Sequence, residues 1–162
     1  MDLVMRGKFI LEAPIQQVWS FLLESGTLAS CIPGAEKIEV IDEKTYKGVV
    51  KQKIGPISAR FEFTANLTEM NPPRYLKVVG RSSDKMVGTS AQEIIVNITE
   101  ISNAKAEISY DIKVNMFGSI PVIGKMMMEA KAKTLEKQFT ENLQDKLREK
   151  LGNRKAKTNE KQ

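Results

Sequence analysis

Residues Ile120 to Leu151 carry a single apolar stripe at helical spacing, and that stripe limits what the rest of the chain can be. Met128, Ala132, Leu135, Phe139, Leu143 and Leu147 recur at steps of three or four, with Lys and Glu filling the gaps. Ser119 and Pro121 form a start signal, because proline is tolerated in a first turn that needs no backbone N–H. Gly152 supplies the residue type that turns the chain past a helix end. At 1.5 Å per residue such a helix is about 45 Å long, more than most globular helices. One apolar face requires one large apolar surface to lie on. The upstream residues are therefore expected to form that surface: an antiparallel sheet curled around the helix, with a cavity between them.

A chain of 162 residues is most simply one domain with a core of its own, here expected over 1–152 and followed by a basic, disordered tail at 153–162. The formal charge is +5, but from Gln144 onward seven Lys or Arg face three Asp or Glu, so the end of the chain supplies +4 and the body is nearly neutral. A nucleic-acid binder would spread its cations over a folded face among stacking aromatics, so that class is set aside. The tail suits solvation, with weak attraction to anionic lipid as the alternative. Cys31 is the one cysteine, which leaves no internal disulfide and fits a reducing compartment. Residues 1–6 lack the basic start and apolar core of a secretory signal. The longest uncharged stretch, Val114 to Gly124, is about half the ~20 residues that a membrane-spanning helix needs. The expectation is a cytoplasmic protein.

Taken in order, Leu3 to Leu11 alternates as a half-buried strand. Ala13-Pro14 opens a short helix, Ile15 to Leu23, which Gly26 stops; a second short turn, Leu28 to Ile32, ends at Pro33-Gly34. The period then changes to two. Strands are expected at Lys37 to Ile41, Thr45 to Ile54, Ile57 to Leu67, Tyr75 to Arg81, Gly88 to Glu100 and Ala106 to Met116, joined by short polar turns. Short connections mean antiparallel neighbours, since parallel ones need long crossovers. One strand, two short helices, six strands and a long helix make an α+β helix-grip arrangement: a seven-stranded antiparallel sheet curled around its C-terminal helix.

The chain has no histidine, so the commonest general base and metal ligand are missing, along with any Ser-His or Cys-His pair. It lacks the Cys and His clusters of a zinc site, and no glycine-rich phosphate loop follows a strand. Glu62, Glu93, Glu107 and Asp111 lie opposite apolar neighbours and read as solvated surface. Cys31 sits in an apolar stretch and reads as an inert structural thiol. Neither a catalytic residue nor a metal is expected.

What remains is the cavity. Alternation places small residues such as Gly48, Ala59 and Ala65 on the inner face among larger ones, which leaves room. The expected wall takes Phe9 and Leu11 from the first strand, then Val50, Gln52, Phe61 and Phe63. It continues with Gln92, Ile94 and Val96, then Tyr110, Ile112 and Val114, and is closed by Met127, Met128 and Leu135 of the helix. Gln52 and Gln92 either hold a ligand's polar group or meet water at the rim. In a meander successive turns alternate ends, so the Gly55-Pro56 turn, the Ser82–Lys85 turn and the 117–124 junction should share one end. Pro56, Met86, Phe117, Ile120, Ile123 and Met126 gather there as a candidate mouth or partner surface. Three successive methionines, Met126 to Met128, cannot all face a core when helix residues are 100° apart.

The stretches Leu28 to Glu39 (LASCIPGAEKIE) and Thr45 to Ile57 (TYKGVVKQKIGPI) resemble the carbon monoxide dehydrogenase CoxG family of the START/Bet v 1-like, or SRPBCC, superfamily. Ala13-Pro14 with Val18-Trp19, Pro72-Pro73-Arg74-Tyr75 and the Gly118 to Gly124 spacing extend the match to about Leu143. The resemblance implies a non-enzymatic accessory beside a carbon monoxide dehydrogenase-type molybdenum oxidoreductase. It would bring that enzyme to the inner face of the cell membrane, with a quinone or lipid as the cavity's guest and no other cofactor. Longer members carry an extended tail, so membrane contact here would rest on the short basic one. Two other readings stand beside it. One is a protein–protein adaptor with a filled, inert cavity. The other is a cyclase- or hydratase-like enzyme, for which only Tyr46, Tyr110 and Lys53 are available.

Overall fold

The structure is a computed structural model. It describes residues 2–24, 26–117 and 124–160, with side chains as far as Lys150. Period-two segments become strands and period-3.6 segments become helices. The order is β1 (Asp2–Leu11), α1 (Ile15–Leu22), α2 (Thr27–Ser30), β2 (Ala35–Asp42), β3 (Thr45–Ile54), β4 (Ile57–Asn71), β5 (Tyr75–Asp84), β6 (Gly88–Ser102), β7 (Lys105–Phe117) and α3 (Lys125–Glu160).

The seven strands form one antiparallel sheet in the order β1-β7-β6-β5-β4-β3-β2, the meander expected from the short turns. The first strand pairs with the last, Leu3 opposite Val114 and Leu11 opposite Ala106. The connection through α1 and α2 therefore crosses from one edge of the sheet to the other and closes one end of the bowl. Pro14, in extended conformation, starts α1, and its carbonyl accepts the N–H groups of Gln17 and Val18.

The helix start signal at 119–121, with Ile120 and Ile123, lies outside the described residues. The described helix begins at Lys125, after Gly124 at φ 82°. Its far end differs from expectation: helical backbone continues through Gly152 to Glu160. A glycine inside a helix costs only about 1 kcal/mol relative to alanine, and the Lys- and Glu-rich residues beyond it are good helix formers. The strand of β5 likewise runs past Arg81 to Asp84, where the carboxylate takes over the turn. Its Oδ1 accepts from Met86 N (2.7 Å) and Val87 N (2.8 Å), and its Oδ2 accepts from Arg60 N (2.7 Å).

Buried apolar side chains form two separate clusters. One joins α1 to the near ends of the strands and the later turns of α3, through Leu11, Phe21, Leu76, Ile98, Leu143 and Leu147. The other, at the opposite end, consists of Leu3, Ile54, Ile57, Ala59, Val87, Met116 and Met128. Polar ties fix α3 over the first cluster. Asn142 Nδ2 donates to Cys31 O (3.0 Å), Lys150 Nζ donates to Thr27 Oγ1 (3.1 Å), and Lys150 also pairs with Glu24.

Candidate functional site

Between the two clusters the interior is hollow. Along α3, Met128, Leu143 and Leu147 are buried, yet Ala132, Leu135 and Phe139 between them are only half-buried. The sheet repeats the pattern. Ile98, Ala106 and Ile108 at one end and Ile54, Ile57 and Met116 at the other are buried, while Val50, Phe61, Phe63, Ile94 and Ile112 are half-buried. Inward-facing side chains stay accessible in mid-molecule only if the space they face is unfilled. That space is a cavity of about 360 Å³ with an almost wholly apolar wall, within the ~300–1,000 Å³ usual for small-molecule sites.

Most of the wall is the one read from the sequence. Phe9, Val50, Gln52, Phe61 and Phe63 line it, as do Gln92, Ile94 and Val96. Tyr110, Ile112, Val114, Met128 and Leu135 complete the match. Two expected members stand elsewhere. Leu11 belongs to the packed cluster under α1. Met127 turns away by the helical 100° and lies over the Gly55 turn, where a β-carbon on Gly55 would come within 2.5 Å of its sulfur. Wall residues that period and size did not single out include Ile32 and Pro33 from the α2–β2 connection, and Lys131 and Glu136 on α3. A signal for Glu136 was available: it occupies a stripe position, four residues after Ala132 and three before Phe139.

The wall carries three polar stations. Gln52 Nε2 donates to the Pro33 carbonyl at 2.7 Å, tying β3 to the turn after α2. Tyr110 donates its hydroxyl to Glu136 Oε1 at 2.8 Å, and its ring covers Gly7 on the neighbouring strand. Burial, and then the Glu136 carboxylate, push the Tyr110 phenol well above its ordinary value, since both penalise a phenolate. The third station is a triangle on β5 and β6. Ser82 Oγ and Ser90 Oγ are 2.5 Å apart, and Gln92 Nε2 reaches them at 3.2 and 2.5 Å respectively. Phe63, Ser82 and Ser90 also border a second, more open hollow of about 680 Å³, lined by charges of both signs such as Lys47, Arg81 and Glu62. The triangle thus stands where oily wall meets polar surroundings.

At the end where the turns converge, Met86, Phe117 and Met126 are 63%, 57% and 85% exposed, and Pro56 is exposed as well. Ile120 and Ile123, expected beside them, lie outside the described residues. Beneath the exposed side chains sits the buried layer of Ile54, Ile57, Val87 and Met116, which separates this greasy end from the cavity.

Of the carboxylates read as surface, Glu62 pairs with Arg60, Glu93 with Lys77 and Asp111 with Arg6. Cys31 is 2% exposed, and burial pushes its thiol upward against the opposing pull of Lys146, Ser30 and Lys150. Among the described residues no group of three or more His, Cys, Asp or Glu is placed to hold a metal ion. None of the described helices is long and apolar enough to cross a membrane.

Solved structures share this architecture. A conserved protein from Geobacillus kaustophilus matches with a TM-score of 0.79 at 24% identity, over 91% of this chain and 96% of that one. A START superfamily protein from Mycobacterium smegmatis matches at 0.66 and 10% identity, over 90% and 97%. The ZhuI aromatase/cyclase from Streptomyces sp. R1128 matches at 0.66 and 13% identity, over 93% and 96%. At these identities the likeness is one of fold, and it identifies the sheet and helix as the START-like helix-grip. No curated protein matches. The family model for CoxG of carbon monoxide dehydrogenase covers residues 7–148, from the glycine under Tyr110 to the last turns over α1, and the chain belongs to that family.

Proposed function

We propose that this protein is a non-enzymatic carrier that holds an apolar, lipid-like molecule, such as a quinone, in the cavity between sheet and helix. It would serve as an accessory to a carbon monoxide dehydrogenase-type molybdenum oxidoreductase at the inner face of the cell membrane. The observation that carries the reading is the half-buried middle of an otherwise buried apolar wall. Covering that wall stabilises a guest by about 25 cal/mol per Å² of apolar surface removed from water. The family supports the accessory role and its oxidoreductase partner. A few lysines near anionic lipid, at about 1 kcal/mol each, would favour residence at a membrane without a spanning segment.

The test is thermal unfolding of delipidated protein titrated with decylubiquinone, together with native mass spectrometry of protein as isolated. A guest at a hundred times its Kd adds about 2.7 kcal/mol, or roughly 5–10 °C in Tm for a domain of this size. An unchanged Tm together with no co-isolated lipid overturns the carrier reading. The exposed Met86, Phe117 and Met126 favour a second use of the same molecule, docking onto the oxidoreductase by its greasy end. Met126→Asp should then abolish co-isolation with that enzyme while leaving guest binding intact.

A further inference from the structure

The cavity's polar stations allow a count of the hydrogen-bonding capacity left for a guest. In the Ser82–Ser90–Gln92 triangle, the amide nitrogen faces the two serines. Turning the amide over would let both hydroxyls donate to its oxygen, but it would leave two serine oxygens 2.5 Å apart with no proton between them. With nitrogen inward, the amide donates to both oxygens and one serine hydroxyl donates to the other. The ring is closed, and one hydroxyl proton remains. Gln92 Oε1 is also left over. It points past Gly80, where a β-carbon would come within 3.0 Å of it. The triangle therefore offers one O–H donor and one carbonyl acceptor, side by side.

The other two stations lean toward acceptance. Tyr110 has given its proton to Glu136 and keeps its oxygen lone pairs, and Glu136 keeps its second oxygen. Gln52 has one N–H committed to Pro33 and presents its carbonyl with one remaining N–H. A guest whose only polar groups are carbonyls can use the serine proton and the Gln52 N–H, but it leaves the acceptors on Gln92, Tyr110 and Glu136 unanswered. A guest with hydroxyl groups answers both kinds.

We infer that the cavity selects apolar molecules bearing a hydroxyl over their carbonyl-only counterparts, with Ser82, Ser90 and Gln92 as the reading station. The inference rests on the carrier reading above and narrows its guest: a quinone-type molecule is held more tightly as the quinol. A tenfold preference would raise the guest's two-electron reduction potential by about 30 mV while it is bound. Bound quinone would then be a better electron acceptor than free quinone.

The experiment compares the affinities of delipidated protein for decylubiquinone and for decylubiquinol under argon. It uses the native chain and the triple variant Ser82→Ala, Ser90→Ala, Gln92→Leu. The expected result is quinol binding about tenfold tighter in the native chain, with the two forms equal in the variant. Equal affinities in the native chain overturn the hydroxyl preference and leave the carrier standing. Binding of neither form overturns both. A preference that survives in the variant overturns the assignment to the triangle. Should the variant not fold, Gln92→Met takes its place, and loss of most of the preference is the result that supports the assignment.

Discussion

Filling the hollow from one wall is the most direct test of its existence. Ala65 on the inner face of β4 lines the cavity, is half-buried, and is packed against neither apolar cluster. Ala65→Ile adds three carbons pointing into that space and places a β-branched residue in a strand, where such residues fit well. At about 0.8 kcal/mol per buried methylene, full coverage would add about 2.4 kcal/mol. Half-burial at this position brings the expectation to about 1 kcal/mol. For a domain of 150–250 residues that is a rise in Tm of about 2–4 °C, measured by calorimetry on delipidated protein. The same side chain occupies room that a guest needs, so binding of decylubiquinone should weaken by about tenfold. In a filled interior the sign reverses, because overpacking costs about 1–3 kcal/mol. A drop in Tm, or a stabilised variant with undiminished affinity, refutes the reasoning.

Three other perturbations follow from the polar groups. Asp84 is pushed up by desolvation, but the N–H groups of Arg60, Val87 and Met86 outweigh this and hold its carboxyl below the ordinary range. Its contribution is therefore complete above the unfolded carboxylate pKa near 4 and is lost as pH falls through the lower folded value. Asp84→Ala, which leaves those N–H groups without an acceptor, should cost about 1–2 kcal/mol in urea unfolding at pH 7 and flatten the acid limb below pH 4. Gly7→Ala would put a β-carbon 2.2 Å from the Tyr110 hydroxyl oxygen and force the ring off β1 and away from Glu136. One tyrosinate absorbance step should move down toward pH 10 in an ultraviolet titration; an unmoved step would mean the ring had never been held there. Cys31, buried and with its thiol raised, should react with a disulfide reagent at pH 8 at least tenfold more slowly in folded than in urea-unfolded protein, and equal rates would contradict its placement.

The strands were legible because period two is strict wherever one face of a sheet is buried. Thr45 to Ile54 is bounded in the structure as it reads in the sequence. Turn parity was legible for the same reason, and Thr89 opposite Phe117 confirms that the β5–β6 turn and the end of β7 share one edge of the sheet. Depth was not legible. Alternation says which face Leu11 and Val50 take, but not that Leu11 meets the side chains of α1 while Val50 meets empty space. That depends on where α1 and α3 come to rest across the bowl. Nor could spacing alone show that the greasy end at Met86 and Phe117 is backed by a buried layer, because Ile54, Val87 and Met116 come from three separate turns and strand ends. Polar pairings such as Tyr110 with Glu136 join residues on different elements, so they appear only once the helix is laid on the sheet.

The hollow also fixes where stability must come from. An unfilled core cavity forgoes about 24 cal/mol per Å³, which for about 360 Å³ is about 9 kcal/mol. That rivals the whole net stability of an ordinary domain, about 5–15 kcal/mol. The two packed clusters at the ends must then hold the fold, and the middle is left free to receive a guest. One helix provides a matched pair to test this. Leu147→Ala and Leu135→Ala remove the same atoms from α3 and leave alanine, the best helix former, in both places. Leu147 is wholly buried in the cluster under α1, so its loss should cost about 2–5 kcal/mol. Leu135 is half-buried on the cavity wall and belongs to neither cluster. Its loss should cost under about 1 kcal/mol in delipidated protein, because little contact is given up and the room it leaves joins space already open. With saturating decylubiquinone the Leu135 variant should fall further behind the native chain, since a guest then packs against that position. Equal costs for the two substitutions without a guest would mean that the middle of the helix is as tightly packed as its end, and the division of labour between packed ends and hollow centre would be wrong.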